Sequence, residues 1–200
     1  MKLTKLLIIA FLLLSSIAEA QQAFKGSVTL GMTTSQMSGD GLGGWHKFGL
    51  TGGGYITAPL SNSKSIRFGI QYAAKGSRTK LDTITYNSFA YRLNYIEVPV
   101  QMGFQNGPFT FYGGLYYGQL IKQEILANKL PYPVSPAFKK YDVGLALNVS
   151  IPINDHLFLE GKFSTSVIPI RPSPNYANPL SYYERGNYNQ VLYFTLGRNF

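Results

Sequence analysis

Apolar and polar residues alternate along most of the chain, in runs that turn-rich segments interrupt. From Val28 to Thr33 the even positions are apolar and the odd positions are polar or small. The same period of two returns around Phe68, Leu145 and Phe163. Because successive side chains of an extended strand point to opposite faces, this period predicts strands with one apolar and one polar face.

Eight such strands account for the chain after its first residues. Their seven connections lie at residues 37–45, 59–64, 78–89, 105–108, 123–140, 152–156 and 169–187, so that long and short connections alternate. Short periplasmic turns and long outer loops are typical of outer-membrane barrels, whose even strand number places both termini on the periplasmic side. The sequence therefore predicts an all-β fold, an eight-stranded antiparallel up-and-down transmembrane β-barrel.

Charge is confined to the polar faces of the predicted strands. A Lys or Arg that faces lipid at the bilayer midplane costs about 2–4 kcal/mol, so we interpret the uncharged apolar faces as lipid-facing. An eight-stranded barrel is just wide enough for side chains to fill it, which favours a plug of paired charges over a solute path. The predicted polar network of the lumen comprises Arg67, Lys75, Arg92, Glu97, Asp142, Glu160 and Lys162.

The fourth predicted strand is irregular. Its apolar positions are odd from Tyr91 to Tyr95 and even from Ile96 onward. A one-residue change of phase is what a β-bulge produces, so we predict a bulge near Tyr95. Pro99 lies in the same strand and cannot donate to a ladder, which is unusual for a central strand.

The first twenty residues predict a secretory signal peptide, so that residues 21–200 form the barrel domain. Lys2 and Lys5 precede an apolar run at 6–14, and Ala18-Glu19-Ala20 resembles a cleavage site. The run is too short for a spanning helix. The chain has no cysteine, which excludes disulfides and thiolate metal sites, and its net charge is +9. Export argues against nucleic acid as the partner of this positive charge and favours anionic lipid headgroups.

Three segments resemble the PorT-like outer-membrane β-barrel proteins. They are the Gly-rich stretch 49–55, the segment 93–100 that contains Tyr95-Ile96-Glu97-Val98-Pro99, and the stretch 111–118. The resemblance covers the mature chain and implies a small exported barrel, some of whose relatives take part in protein secretion. The C-terminal strand resembles the signal that barrel-insertion machinery recognises. Phe200 fits that pattern, and Arg198 departs from it.

The sequence contains two histidines, His46 and His156, and the predicted topology places them at opposite ends of the barrel. A metal site or triad that uses both is therefore excluded. A rim triad of His46, Asp40 and Ser38 would suit a lipid-modifying enzyme, although polar loop residues are usually just solvated. We predict no catalytic residue, no metal site and no cofactor.

Two long loops combine proline with tyrosine. Proline lowers the entropy that is lost on binding and tyrosine supplies contact area, so Tyr132, Pro133, Arg171 and Tyr176 are candidate partner-binding residues. We expect a non-enzymatic barrel that is structural or binds a partner or surface through these loops, with outer-membrane lipids and a possible protein as partners. The alternatives are an accessory part of a secretion or transport assembly, a lipid-modifying enzyme, and a soluble exported barrel with its apolar face inside.

Overall fold

The fold was determined from a computed structural model, which describes residues 24–79, 88–133, 135–172 and 186–200. The predicted signal peptide, residues 1–20, lies outside the described residues. In the part of the chain that the structure describes, no helix is long and apolar enough to cross a membrane.

Eight long antiparallel strands form a closed barrel, and two short strands are added at one end. Each long strand pairs with the next long strand in sequence, and β1 pairs with β10 from Ser27↔Asn199 to Ser38↔Tyr188, which closes the barrel. The predicted fold class is therefore confirmed. The strands are β1 Lys25–Ser38, β2 Lys47–Pro59, β3 Lys64–Arg78, β4 Phe89–Asn106, β5 Phe109–Ala127, β6 Leu130–Pro131, β7 Tyr141–Pro152, β8 Leu157–Ser166, β9 Arg171–Pro172 and β10 Gly186–Asn199.

Short and long connections alternate around the barrel, as predicted. The short turns cover 60–63, 107–108 and 153–156 and lie at the same end as both termini of the barrel. Local chemistry explains them: Gly107 has a φ of 58°, which glycine adopts without strain, and the Asn154 side chain accepts the backbone N–H groups of His156 and Leu157. The long connections start and finish at strand ends on the other side of the barrel, between Ser38 and Lys47, Arg78 and Phe89, Ala127 and Tyr141, and Ser166 and Gly186.

The apolar faces of the strands point outward. Leu30 and Phe68 are 72% and 49% exposed, whereas Arg67 and Lys162 are buried in the lumen. This orientation excludes the soluble barrel with an apolar interior. A closed sheet also leaves no strand edge unpaired in lipid, where an unpaired backbone group would have no water to bind.

The register shift predicted near Tyr95 is present, but the extra residue lies in the neighbouring strand. Asn94 of β4 is opposite Lys122 of β5, and Tyr95 is opposite Leu120, so Ile121 of β5 is the bulged residue. Strand β4 itself keeps its phase.

The apparent phase change in β4 has a different cause, because Tyr91, Leu93 and Tyr95 all point into the lumen. Their side chains are 6%, 0% and 0% exposed and pack together near the outer end. We call this cluster the apolar plug. Its members are Met37, Tyr91, Leu93, Tyr95, Phe138 and Ile170.

Candidate functional site

The half of the lumen beside the short turns, which we call the periplasmic half after the orientation that the sequence predicts, is organised around Arg67 of β3. Its Nη1 group donates to Glu160 Oε2 at 2.6 Å, and its Nε and Nη2 groups donate to Gln101 Oε1 at 3.2 and 2.8 Å. The guanidinium carbon lies 4.4 and 3.7 Å from the ring centroids of Tyr55 and Tyr112. A buried cation requires such partners, because an unpaired charge in a protein interior is strongly unfavourable.

Asn148 of β7 closes this group into a ring of hydrogen bonds. Its Nδ2 group donates to Glu160 Oε1 at 2.8 Å, and its Oδ1 atom accepts from Gln101 Nε2 at 2.7 Å. Both carboxylate oxygens of Glu160 therefore have a donor, and the arrangement holds Arg67 in one position.

A second ionic cluster lies nearer the outer end. The Lys75 ammonium contacts Glu97 Oε1 at 2.5 Å and Asp142 Oδ2 at 2.9 Å. Lys162 lies 3.5 Å from Glu97 Oε2 and donates to Gln71 Oε1 at 2.5 Å. Two cations thus face two carboxylates, so the cluster carries no net charge.

Asp142 shows how completely these buried charges are satisfied. Its carboxylate also accepts from Ser166 Oγ at 2.7 Å, from Asn189 Nδ2 at 2.9 Å and from the Tyr116 hydroxyl at 3.2 Å. A carboxylate with this many donors is held in a fixed geometry, which suits a structural role better than proton transfer.

The apolar plug covers the second cluster from the outer side. Lys75 Nζ lies 5.0 Å from the centroid of the Tyr95 ring, at the lower boundary of the plug. At its upper boundary the rings of Tyr91 and Phe138 meet edge to face at 5.5 Å. The Arg171 guanidinium lies 5.5 and 5.3 Å from these two centroids. The outer half of the lumen is therefore filled with packed side chains.

The opposite end of the lumen is open. A cavity of about 560 Å³, which we call the periplasmic cup, extends inward from the short turns to Arg67. Its wall is formed largely by small hydroxyl and amide side chains, among them Ser27, Thr57, Ser65, Thr110, Ser150 and Asn199.

Arg92 was predicted to belong to the lumen, and this assignment is wrong. Its side chain is 53% exposed and pairs with Glu124 of β5 at 3.1 Å. Since Tyr91 and Leu93 point inward, Arg92 between them must point outward. The other six residues of the predicted network, Arg67, Lys75, Glu97, Asp142, Glu160 and Lys162, are all buried in the lumen.

Uncharged amides are the residues that the sequence analysis missed. Gln71 accepts the Tyr55 hydroxyl at 2.7 Å and donates to Thr51 Oγ1 at 2.6 Å, besides its contact with Lys162. Gln101 and Asn148 link Arg67 to Glu160. All three amides occupy inward positions of their strands. The alternation of apolar and polar residues could therefore have identified them as members of the network.

The outer end of the barrel carries an excess of positive charge. Among the described residues of this end that lie outside the lumen network, the carboxylates are Asp40 and Glu124. Burial raises the pKa of the Asp40 carboxyl above its ordinary value. The cations are Lys47, Arg78, Arg92, Lys122, Lys129, Lys139, Lys140 and Arg171.

The predicted loop and terminal residues differ in exposure. Tyr132 is 51% exposed and Pro133 is also exposed, whereas Arg171 is half-buried on the apolar plug. Tyr176 lies outside the described residues. Phe200 is 72% exposed, and its backbone N–H donates to the Gly26 carbonyl at 2.9 Å beside the closing strand pair. Its role as an insertion signal stays a prediction.

The rim triad is not assembled in the described part of the chain. Asp40 Oδ1 accepts the backbone N–H of Leu42 at 3.0 Å, and no hydrogen bond links the exposed His46 side chain to Asp40 or Ser38. His156 lies in a short turn at the opposite end. The described residues also contain no group of three or more side chains suited to hold a metal ion.

Comparison with known proteins supports the barrel assignment. Residues 19–171 match the family described as outer membrane protein beta-barrel domain. No curated protein matches the chain.

Two solved barrels share the fold at low sequence identity. Ail, the attachment invasion locus protein of Yersinia pestis, was crystallised with the heparin analogue sucrose octasulfate. It superposes with a TM-score of 0.51 at 11% identity, over 88% of this chain and 99% of Ail. Neisserial surface protein A superposes with a TM-score of 0.50 at 14% identity, over 89% of this chain and 97% of that protein. Because the family match covers more than half of the sequence, the chain belongs to the outer membrane protein beta-barrel family and is a barrel of the outer membrane.

Proposed function

We propose that the protein is a non-enzymatic, non-conducting barrel that binds an acidic partner through its outer loops. The observation that carries this proposal is the contrast between a sealed lumen and an outer end with excess positive charge. The six charged side chains of the lumen are paired with one another, so they offer no free group to a solute. Among the described residues, Arg92 is the cation of the outer end that forms an ion pair, with Glu124, and the others have no carboxylate partner.

Strands β4 and β5 raise part of this charge above the rest of the barrel. Strand β5 pairs with β7 only as far as Gln119↔Tyr141, whereas its pairing with β4 continues to Phe89↔Ala127. The eight residues beyond Gln119 extend roughly 25 Å along the strand. We call this extension, together with β6, the projecting hairpin.

The segment that follows β5 has the composition of a binding surface for anions. Residues 128–140 include Lys129, Lys139 and Lys140 and contain no Asp or Glu. Tyr132 and Leu130 in the same segment are 51% and 69% exposed. Lysines beside exposed apolar and aromatic groups suit a ligand whose anionic groups are attached to a less polar molecular skeleton.

A titration with a polyanion tests this function. Sucrose octasulfate is a suitable first probe because it presents dense negative charge on a sugar. We expect folded protein in detergent to bind it, and Lys129→Gln/Lys139→Gln/Lys140→Gln to weaken binding about tenfold, since exposed charges contribute up to about 1 kcal/mol each. Calorimetry at two salt concentrations measures both values, and binding should weaken at high salt.

The matched control removes equal charge from the periplasmic end, in Lys25→Gln/Lys64→Gln/Arg198→Gln. Its affinity should stay close to that of the unmodified protein. Equal losses in both variants would show that binding follows net charge rather than the loop. Steady ionic conductance of the unmodified protein in a planar bilayer would contradict the non-conducting part of the proposal.

We further propose that the chain groups with the PorT-like barrels within its family, on the strength of the segment 95–99. In this segment Tyr95 and Glu97 both contact Lys75, so the residues on which the resemblance rests also organise the lumen. Stoichiometric co-purification of another protein in mild detergent would instead favour an accessory role in a secretion assembly.

A further inference from the structure

Every long strand of the barrel contributes to the wall of the periplasmic cup. Most of the side chains in this wall are small and polar, whereas the outer half of the lumen is filled by the aromatic and aliphatic residues of the apolar plug. The volume of about 560 Å³ lies within the range of roughly 300–1,000 Å³ that is typical of small-molecule sites. The cup is therefore large enough for a small ligand.

The strand register arranges polar side chains of the cup in two arcs that face each other. Gln105, Thr110 and Ser150 lie side by side on β4, β5 and β7, because Gln105 is opposite Thr110 and Thr110 is opposite Ser150. Asn199 of β10 is likewise opposite Ser27 of β1. Since β1 and β5 are four places apart in the closed ring of long strands, the second arc lies across the cup from the first.

The polar groups of both arcs are available to a ligand. Among the described residues, the side chains of the two arcs have no hydrogen-bond partner. Thr29, at the next inward position of β1 beyond Ser27, is 6% exposed, and its hydroxyl has no partner either. Deeper in the lumen, Gln101 and Asn148 use both their donor and their acceptor groups within the protein. The cup thus presents uncommitted hydroxyl and amide groups on a wall that the barrel holds in place.

The charges near the cup do not require a charged ligand. At its inner end the Arg67 guanidinium is paired with Glu160, so the two charges cancel. At its mouth Lys25 and Lys64 are exposed, where water screens their charge. An uncharged polar molecule therefore fits the interior of the cup.

An aromatic ring lies between the two arcs. Phe158 of β8 lines the cup between the strands of Ser150 and Asn199. Its ring packs over Gly197, where an added Cβ atom would collide with it, so the ring stays against the wall instead of crossing the cup. Hydroxyl and amide groups beside an aromatic ring suit a saccharide, because each sugar hydroxyl both donates and accepts and the C–H faces of a sugar ring are apolar.

We propose that the periplasmic cup binds an uncharged mono- or disaccharide between its two polar arcs. The site opens at the end of the barrel opposite to the projecting hairpin and does not depend on the function proposed above. In the predicted orientation it faces the periplasm, so its ligand is a water-soluble sugar of that compartment.

Solution NMR of the folded protein tests this site, in a detergent that has no sugar headgroup. The probes are two uncharged disaccharides, sucrose and N,N′-diacetylchitobiose. We expect at least one of them to shift the backbone amide signals of the two arcs in a saturable way, and to leave the signals of residues 128–133 unchanged. Thr110→Val keeps the shape of the wall and removes one hydroxyl, so it should weaken binding about fivefold, which is typical of one lost hydrogen bond.

A matched pair of tryptophan variants identifies the face that binds. Ser150→Trp fills the cup and should abolish saturable binding. Ile151→Trp adds the same side chain at the next residue, which is 40% exposed on the outer wall, and should leave the affinity unchanged. A heat-dependent shift on a gel verifies that each variant is folded, and Thr110→Val remains the test if Ser150→Trp does not fold.

Three outcomes would overturn the proposal. The first is that neither disaccharide binds saturably, as expected of a cup that contains water alone. The second is an unchanged affinity in the folded cup variants, and the third is a loss in Ile151→Trp equal to that in Ser150→Trp.

Discussion

The two halves of the lumen contain similar ion pairs in different surroundings. In the outer half, Lys75 lies beneath the apolar plug and is 0% exposed. In the periplasmic half, Arg67 lies at the inner end of the cup, whose wall is polar and whose mouth is open. The contrast indicates that the cost of removing one partner of an ion pair in this barrel depends on whether water can reach the partner that remains charged.

The same difference means that the lumen is blocked in its outer half. The ion pairs near the cup hold the strands together beside a space that water can enter. The apolar plug fills the cross-section with side chains that leave no room for water, among them Leu93, Tyr95 and Ile170, each 0% exposed.

The largest effect is expected from Lys75→Met. This change leaves the carboxylates of Glu97 and Asp142 facing each other without their shared cation, in a place that the plug shields from water. Removing one partner of a buried pair costs about 3–5 kcal/mol, so we expect a loss of about 4 kcal/mol in the free energy of unfolding. Urea titration of the protein folded in vesicles measures it.

Lys122→Met is the control for this variant. Lys122 lies on the exposed side of β5 beyond the bulge, where its replacement should change the free energy of unfolding by less than about 0.5 kcal/mol. Similar losses in both variants would show that the enclosed position of Lys75 has no special importance.

The second effect in size is expected from Leu93→Ala in the apolar plug. Leu93 is 0% exposed, and removing a buried leucine side chain costs about 2–5 kcal/mol, so a loss of about 3 kcal/mol is expected. Leu130→Ala, at a position 69% exposed, should change the same urea midpoint far less. If Leu93→Ala were as mild as Leu130→Ala, the plug would not be packed as described.

The membrane-spanning part of the fold could be predicted because lipid imposes a simple rule there. Apolar positions such as Phe68 face hydrocarbon and charged positions such as Lys162 face the lumen, so alternation alone orients each strand. Above the membrane the rule ends. Tyr91 and Leu93 face inward and pack in the apolar plug, whereas Arg92 faces outward and pairs with Glu124, so an apolar residue there no longer marks the outward face.

The pairing of the charged groups could not be predicted from the sequence. Alternation places Lys75 and Asp142 on the inner face, but their contact joins strands that are not neighbours in the sheet. It depends on the stagger of the strands around the barrel, which the turns and the Ile121 bulge set jointly. The amide network of Gln71, Gln101 and Asn148 depends on the same stagger.

The smallest of these effects is expected from Arg67→Met, and it sharpens the comparison most directly. The change introduces the same uncharged side chain as Lys75→Met, and it likewise removes the cation from a buried carboxylate. Here Glu160 keeps the donor of Asn148 and can be hydrated from the cup, so we expect a loss of about 2 kcal/mol. The urea titration should therefore place Arg67→Met clearly between Lys122→Met and Lys75→Met. A loss equal to that of Lys75→Met would mean that water does not reach Glu160, and the two halves of the lumen would then be energetically alike.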